Sequence, residues 1–335
     1  MILVLTLISL FQSTAQSAPK VEFPKDNAQS VQKIELGKQL YFDPRLSRSG
    51  ATSCNSCHNV MAGGDDDSSL SVGHKGQLGG RNAPTVWNSM FNTVQFWDGR
   101  AVSLEEQAKG PLLNPVEMAM DSHDVVMNRV KAFPQYVEAF TKVFGKNNPM
   151  TIDNLARAIA SFERTLVAYN SPYDKYLAGN KKALSAGAVK GLKLVEEIGC
   201  LACHAGSNFN GNNMVKMGEG FYQKFPTFPD ADIEKKYDIS SDLGRFQVTK
   251  NEDDKNMWRV PTWRNVEITA PYFHNGKVKT LREAVRVMGK VQLDRVLKED
   301  EITSIVAFLN SLTGELPKIT QPKLPEISGA TVLQD

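Results

Sequence analysis

The sequence Cys-x-x-Cys-His occurs twice in this chain and constrains its fold more than any other feature. The two copies are Cys54, Cys57, His58 and Cys200, Cys203, His204. Thiols at this spacing can each form a thioether to a porphyrin vinyl group, and the adjacent imidazole can bind the iron. A redox dithiol, part of a zinc site or a disulfide pair uses the same Cys-x-x-Cys spacing. Because both copies continue with His and together use all four cysteines, they predict two covalently attached c-type haems.

The length and charge of the chain set broad limits. With 335 residues, of which 41% are hydrophobic, the chain is long enough for two domains with their own cores. The formal net charge of +2 gives no reason to expect a nucleic acid partner. Residues 1–18 begin with a short apolar run followed by small residues, as a signal peptide does, although no basic residue precedes the run. We expect an exported, periplasmic protein, and an uncleaved membrane anchor is the alternative.

The two halves of the chain resemble each other at two different offsets. The Pro-Thr pairs that begin at Pro84 and Pro261 are 177 residues apart, whereas the haem motifs are 146 residues apart. The apolar helical stretches that contain Phe162 and Phe308 also differ by 146. The number of residues from the haem motif to this helical stretch is therefore the same in both halves. Each half has additional residues at a different place within that length, and in the first half they are at about 101–150. The pattern predicts an internal duplication with specialised halves.

Hydrophobic periodicity predicts helices and no sustained sheet. The predicted helical stretches are 28–42, 151–169, 183–198 and 299–312. Two further helices should begin at Ser103 and Thr280, each in an S/T-x-x-E capping box. The segments Gly63–Gly80 and Ala205–Lys255 are rich in Gly, Asn, Asp and Ser and predict long loops around the cofactors. The fold class is mostly α, with two cytochrome c-like haem domains related by internal duplication.

Five further motifs resemble those of the bacterial di-haem cytochrome c peroxidases, over about residues 30–312. They are Leu36–Ser47, Arg81–Thr85, Phe96–Arg100, Asn114–Met118 and Thr269–Gly276. The resemblance implies an N-terminal peroxidatic haem domain at 19–170 and a C-terminal electron-transfer haem domain at 171–335. It also implies reduction of hydrogen peroxide to water, with electrons from a small cytochrome c or a blue-copper protein (a cupredoxin). Electrons would enter at the C-terminal haem, and the protein would be a homodimer.

The resemblance also implies the iron ligands. His58 and His204 would be proximal, and Met288 would be the second ligand of the C-terminal haem, where a thioether raises the reduction potential. His74 would be the distal ligand of the N-terminal haem and would be displaced before peroxide binds. From the residues alone, Met288 is also consistent with a core methionine and His74 with a solvated loop residue. The position equivalent to Met288 in the first half is Pro111, which cannot bind iron.

The catalytic roles likewise follow from the resemblance. Glu117 would be the acid–base residue for peroxide cleavage, and Gln107 would position peroxide or water by hydrogen bonding. Trp97 would be the bridge between the haems. Without the resemblance, these residues are equally consistent with a surface Glu, a residue on a helix face and a core Trp. The extra chain at about 101–150 is where peroxide-cleaving groups are expected.

The resemblance adds one Ca²⁺ between the domains. Its protein ligands would be the Asn82 side chain and the main-chain carbonyls of Thr269 and Pro271, completed by water. The acidic run Asp65–Asp67 is the other candidate, and we interpret it as a solvated loop.

Two other functions are consistent with a di-haem chain. In an electron carrier without peroxide chemistry, His74 would stay bound permanently, and neither Gln107 nor Glu117 would be needed. The second alternative is an oxidase that acts on a protein or a small organic substrate. Related enzymes that form a protein-derived quinone carry Tyr at the position of Met288. The Met here argues against that activity.

Overall fold

The computed structural model describes residues 22–326, so the predicted signal segment at 1–18 lies outside the described residues. That part of the chain contains twelve α-helices and one small sheet. The helices are α1 (Val31–Phe42), α2 (Cys54–Cys57), α3 (Leu104–Leu113), α4 (His123–Lys131), α5 (Pro134–Phe144), α6 (Ile152–Glu163), α7 (Pro172–Leu177), α8 (Ala186–Glu197), α9 (Ala231–Tyr237), α10 (Phe246–Thr249), α11 (Leu281–Leu293) and α12 (Glu299–Asn310). Among these helices, none is long and apolar enough to cross a lipid bilayer.

The mostly α class and the four periodic helices are confirmed as α1, α6, α8 and α12. The largest difference in a boundary is at α6, which ends at Glu163 instead of continuing to residue 169; the other predicted boundaries differ by at most three residues. The helix does not continue because the main chain a few residues further on, at Ala168, is hydrogen-bonded to the side chain of Asn88. Asn88 accepts a hydrogen bond at Oδ1 from the Ala168 N–H at 2.8 Å and donates to the Ala168 carbonyl at 3.1 Å.

The helices predicted from the capping boxes are α3 and α11. The Ser103 hydroxyl accepts from the Glu106 N–H, and the Thr280 hydroxyl accepts from the Glu283 N–H, both at 3.2 Å. The carboxylates that should complete the boxes are used elsewhere. Glu106 accepts from Lys109 at 2.6 Å, and Glu283 accepts from Tyr237 at 2.6 Å. Each helix therefore begins where the sequence predicts, with half of the capping motif.

The prediction of one long loop at Ala205–Lys255 is wrong in part. This segment contains α9, α10 and strand β1 (Tyr222–Lys224), which pairs antiparallel with β2 (Met257–Arg259). The Asp230 carboxylate caps α9 by accepting from the N–H of Ile233 at 3.0 Å. These elements have three to seven residues, too few for periodicity to separate them from a loop.

The duplication appears as the same helix crossing in both halves. In the first half Gly37 of α1 lies against the Ala158 carbonyl of α6, so that a β-carbon on Gly37 would collide with it. In the second half Gly191 of α8 lies in the same way against the Ser304 carbonyl of α12. Ala158 and Ser304 are 146 residues apart, the offset of the haem motifs. Only glycine permits so close an approach of two helix backbones.

The two halves also correspond at the offset of 177 residues, through a pair of asparagines. Asn88 and Asn265, 177 residues apart, both adopt left-handed backbone with φ of 63° and 61°. Asn265 Oδ1 accepts from the N–H of Gly314 at 2.9 Å, as Asn88 Oδ1 accepts from that of Ala168. Ala168 and Gly314 are again 146 residues apart, so one side chain joins the two blocks in each half.

The buried apolar residues separate near residue 170. The first cluster draws its buried members from Leu36 to Ala168, and the second from Tyr173 to Leu312. Leu316, Ile319 and Leu324 then return to pack against the first cluster. The domain limits at 170 and 171 stay a prediction.

Candidate functional site: two haem cavities

The first cavity encloses about 720 Å³ and is lined by Cys54, Cys57 and His58. The short helix α2 carries both thiols, and Ser53 and Ser56 cap its first turn reciprocally. His58 follows the helix, and its ring Nδ1 donates to the Pro84 carbonyl at 3.0 Å. That bond fixes the imidazole and leaves Nε2 for a metal, the usual arrangement of a ligating histidine.

The second cavity encloses about 250 Å³ and is lined by Cys200, Cys203 and His204. His204 donates from Nδ1 to the Phe209 carbonyl at 3.0 Å, and its ring stacks on Trp263 at 4.3 Å between centroids. Burial lowers the pKa of His204 to about 4, so the imidazole is neutral, as a ligand must be. The two cavities thus repeat one arrangement of thiols and imidazole.

The surroundings of the thiols favour thioethers over the alternatives. Burial raises the pKa of Cys54 to about 12 and that of Cys200 to about 11. A redox dithiol or zinc site requires thiolates, which form where the pKa is lowered. All four thiols are free, and across residues 22–326 no three His, Cys, Asp or Glu side chains come together as a metal cluster. The residues therefore fit two c-type haems, whose iron would be held by His58 and His204.

The first cavity also brings together Gln107 and Glu117, with Pro111 on the same wall. Glu117 Oε1 accepts from Asn114 Nδ2 at 2.7 Å. Burial raises the pKa of the Glu117 carboxyl above its usual value, against the opposing charge of Arg100 and the bond from Asn114. A carboxyl whose pKa is raised holds a proton more strongly than an ordinary carboxyl, which suits a group that takes up a proton and passes it on.

The second cavity has a different wall. Met288 of α11 lines it at the position where the first half has Pro111. His274 also lines it, with its ring stacked on Trp258 at 4.1 Å and Nε2 buried without a partner among the described residues. Burial lowers the pKa of His274 to about 4. A thioether and a neutral imidazole thus face this cavity, and none of the described residues that line it carries a carboxylate.

His74 does not line the first cavity. It lies on a short turn whose Gly73 packs against the Val116 carbonyl, and its main-chain N–H donates to the Glu117 carbonyl at 2.9 Å. Its ring Nδ1 is buried without a partner among residues 22–326. The loop of His74 is therefore attached directly to the segment that carries Glu117.

Trp97 lines both cavities. Its indole Nε1 donates to the Asn82 carbonyl at 2.9 Å, and its own carbonyl accepts from the Arg259 N–H at 2.9 Å. A tryptophan held in the shared wall through both its indole N–H and its main-chain carbonyl is suited to connecting the two cofactors.

Three oxygens fit the predicted cation site. Asn82, Thr269 and Pro271 all line the second cavity. Asn82 Nδ2 donates to the Ser68 carbonyl at 2.8 Å, which leaves Oδ1 available. Within the described residues, neither this Oδ1 nor the carbonyls of Thr269 and Pro271 accept a hydrogen bond. Neutral oxygens of this kind suit Ca²⁺.

The sequence missed three buried charged residues. Asp65, interpreted as part of a solvated loop, is only 3% exposed, and burial raises its pKa to about 7. Glu163 lines the first cavity, and burial raises its pKa to about 8. Arg259 lines both cavities without a carboxylate partner among the described residues. Asp65 lies in an acidic run, Glu163 lies between Phe162 and Arg164, and Arg259 lies between Trp258 and Val260, and none of these settings belongs to a known motif.

The paired cavities define a di-haem c-type cytochrome. Residues 31–182 match the family described as di-haem cytochrome c peroxidase. The chain is 45% identical to cytochrome c551 peroxidase of Nitrosomonas europaea, over 98% of this chain and 95% of that relative. It is 48% identical to cytochrome c551 peroxidase of Pseudomonas aeruginosa, over 90% of this chain and 84% of the relative.

A solved structure shares the fold. A MauG-like protein associated with microbial copper homeostasis superposes with a TM-score of 0.78 at 26% identity, over 90% of this chain and 94% of that one. Together with the two relatives, this places the chain in a known family. The chain belongs to the di-haem cytochrome c peroxidase family, which confirms the resemblance inferred from the motifs.

Proposed function

We propose that this protein is a periplasmic peroxidase that reduces hydrogen peroxide to water, with peroxide admitted to the first cavity. The observation that carries the proposal is the difference between the cavities. Gln107 and Glu117 face the first, whereas Met288 and His274 face the second. A pure electron carrier needs no buried acid beside one of its cofactors. The overall reaction takes up two electrons and two protons for each peroxide and gives two waters.

The haems, when bound, supply the electrons and the iron at which the O–O bond is cleaved. The residues of this chain move the protons. Glu117 takes the proton from the near peroxide oxygen and returns it to the leaving oxygen, and its raised pKa suits both steps. Asn114 holds one carboxyl oxygen of Glu117 by a hydrogen bond, which leaves the other oxygen available to the substrate. Gln107 orients peroxide or the product water by hydrogen bonding.

His74 controls access to the first cavity in this proposal. It would bind the first iron in the resting oxidised protein and leave when the second site is reduced. The turn at Gly73 and the positive φ of 55° at Lys75 give the segment the backbone of a tight, movable loop. Because the His74 N–H donates to the Glu117 carbonyl, a movement of the loop also changes the position of the acid–base residue.

Electrons would enter at the second cavity, where Met288 favours a high reduction potential, and reach the first through Trp97. The donor would be a small cytochrome c or a cupredoxin. Ca²⁺ at Asn82, Thr269 and Pro271 would hold the wall between the cavities. We propose a homodimer exported by the N-terminal signal segment.

The test is peroxide turnover by the fully oxidised protein and by the half-reduced protein, with Ca²⁺ present and EPR spectra of both. Turnover by the half-reduced form alone, with a new high-spin signal, supports a gate at His74. Turnover by both forms supports the peroxidase and contradicts the gate. No turnover with any competent cytochrome or cupredoxin contradicts the peroxidase and favours an electron carrier.

A further inference from the structure

We propose that Arg259 is the counter-charge for the haem carboxylates in the wall between the two cavities, and that it raises the reduction potential of the haem it contacts. Its N–H and side chain also hold the segment of Trp97. The inference rests on the two haem sites and on no step of peroxide chemistry.

The guanidinium of Arg259 is buried without an anion. The residue is only 6% exposed, and within residues 22–326 no carboxylate lies within ion-pair distance of it. It makes two long side-chain bonds to neutral groups, from Nε to the Phe96 carbonyl at 3.2 Å and from Nη1 to the Val260 carbonyl at 3.3 Å. The second terminal nitrogen, Nη2, has no partner among those residues. A buried, unpaired charge costs several kcal/mol, so an anion is expected here.

The nearest acid is already committed. Asp98 accepts from Arg81 at 2.6 Å and from Arg100 at 2.9 Å. Arg81 is bonded in turn to Asp242 at 2.7 Å. The carboxylates beside Arg259 are therefore neutralised by other arginines. Burial consequently lowers the pKa of Arg259 to about 10, although Tyr222 and Asp98 act in the opposite direction.

The position of Arg259 identifies the missing anion. The residue lines both cavities, each of which holds the thiols and the imidazole of a haem site. A haem carries two propionate carboxylates, which are the anions that such a cavity would receive. The planar guanidinium can donate to a carboxylate through two nitrogens at once. A propionate would therefore supply the partner that the protein does not provide.

The backbone around Arg259 makes this position rigid. Arg259 belongs to β2, opposite Tyr222 of β1. Its N–H donates to the Trp97 carbonyl at 2.9 Å, and its Nε donates to the carbonyl of the preceding residue, Phe96. The same residue thus attaches the Trp97 segment to the second half. The equivalent residue in the first half, by the offset of 177, is Asn82, so the repeat places only one such charge in the shared wall.

A fixed positive charge beside a haem favours the ferrous state, because the ferric state carries one more positive charge. The test is spectroelectrochemistry of the holoprotein, without peroxide or donor, on wild type, Arg259→Gln and Arg259→Lys. Arg282→Gln is the matched control, since Arg282 is an exposed arginine paired with Glu299 at 2.6 Å. Haem content per chain and far-ultraviolet circular dichroism are measured on each protein.

We expect Arg259→Gln to lower the ferrous-to-ferric ratio of at least one haem about tenfold at a fixed applied potential, the effect of one charge-assisted hydrogen bond. Arg259→Lys keeps the charge and should recover most of this ratio, while the resonance Raman propionate bands shift because the two-nitrogen contact is lost. The Arg282 control should match wild type in both measurements.

Unchanged potentials in a folded, fully loaded Arg259→Gln protein would overturn the proposal. Equal losses in the Gln and Lys variants would also overturn it, since they would indicate a purely structural role. If Arg259→Gln does not fold, the Lys variant decides: propionate bands of Arg259→Lys that match those of the wild type would overturn the proposal. The readouts need no turnover, so they hold even if the protein proves not to be a peroxidase.

Discussion

Two glycines of helix α8 allow the crossing with α12 to be tested quantitatively. A β-carbon at Gly191 would collide with the Ser304 carbonyl oxygen and lie 2.6 Å from its carbon and 2.8 Å from Phe308 Cβ. At Gly187, one helical turn earlier, the nearest atom would be Ala307 Cβ at an ordinary 3.7 Å. The same substitution, Gly→Ala, therefore meets packed backbone at one position and only ordinary van der Waals contacts at the other.

The expected magnitudes follow from this geometry. Carbon atoms pack at about 3.5 to 4.0 Å, so Gly191→Ala must separate the helices by about 1 Å. Overpacking of this kind costs about 3 kcal/mol, and the better helix propensity of Ala returns about 1 kcal/mol. We expect a net loss of about 2 kcal/mol, or about 3 °C in the melting temperature of a chain of this length. Gly187→Ala should gain up to about 1 kcal/mol, because only the propensity term applies.

The assay is thermal unfolding of the holoprotein, followed in the haem Soret band and by far-ultraviolet circular dichroism. Wild type, Gly187→Ala and Gly191→Ala are compared at one concentration and one heating rate. A Gly191→Ala protein that melts at or above the wild-type temperature would refute the close crossing. Gly37→Ala repeats the test in the first half, at the crossing with Ala158.

Three further predictions concern residues that line the two cavities. Glu117→Gln should reduce peroxide turnover by about 10² to 10⁴ with both haem potentials unchanged, measured by donor oxidation, while the surface variant Glu138→Gln should be fully active. The raised pKa of Glu163 means that the folded state binds a proton that the unfolded state has released, so stability falls as pH rises from about 4 to about 8. Glu163→Gln should reduce this fall by on the order of 5 kcal/mol in urea unfolding curves at several pH values, and a parallel pH dependence in both proteins would contradict the assignment. Met288→His should lower the potential of one haem by on the order of 100 mV in a redox titration, and an unchanged potential would exclude Met288 as a ligand.

The sequence predicts those parts of the molecule in which a pattern repeats or a spacing has chemical meaning. The long helices follow from apolar periodicity, and the duplication follows from matching offsets. The same comparison pairs Met288 with Pro111, and the structure places these two residues on the walls of different cavities. These predictions succeed because apolar periodicity and repeated motifs can be recognised in the sequence without knowledge of tertiary contacts.

The parts that could not be predicted depend on distant contacts. The sequence around Asp65 and Arg259 does not predict a buried charge, since their surroundings include segments of the other half: Gly63 packs against the Ile268 carbonyl, and Arg259 donates to the carbonyls of Phe96 and Trp97. The loop at Ala205–Lys255 contains α9 because Tyr237 packs into a cluster with Tyr272 and Val278, far along the chain. His74 illustrates the same limit, because its spacing from His58 does not determine whether the ring faces the cavity.

The return of the C-terminal segment to the first cluster has a consequence for how the chain is divided. Arg45 donates from Nη1 to the Pro325 carbonyl at 3.0 Å, and Gln39 donates to the Lys323 carbonyl at 3.0 Å. The last described residues thus cover helix α1, although they follow the whole second half in the sequence. A gene cut near residue 170 would not yield two complete halves: one fragment would lose the segment that covers helix α1, and the other would carry that extended segment with Leu316, Ile319 and Leu324 unpacked. The two duplicated halves therefore depend on each other, because the last described residues of the second half pack against the first.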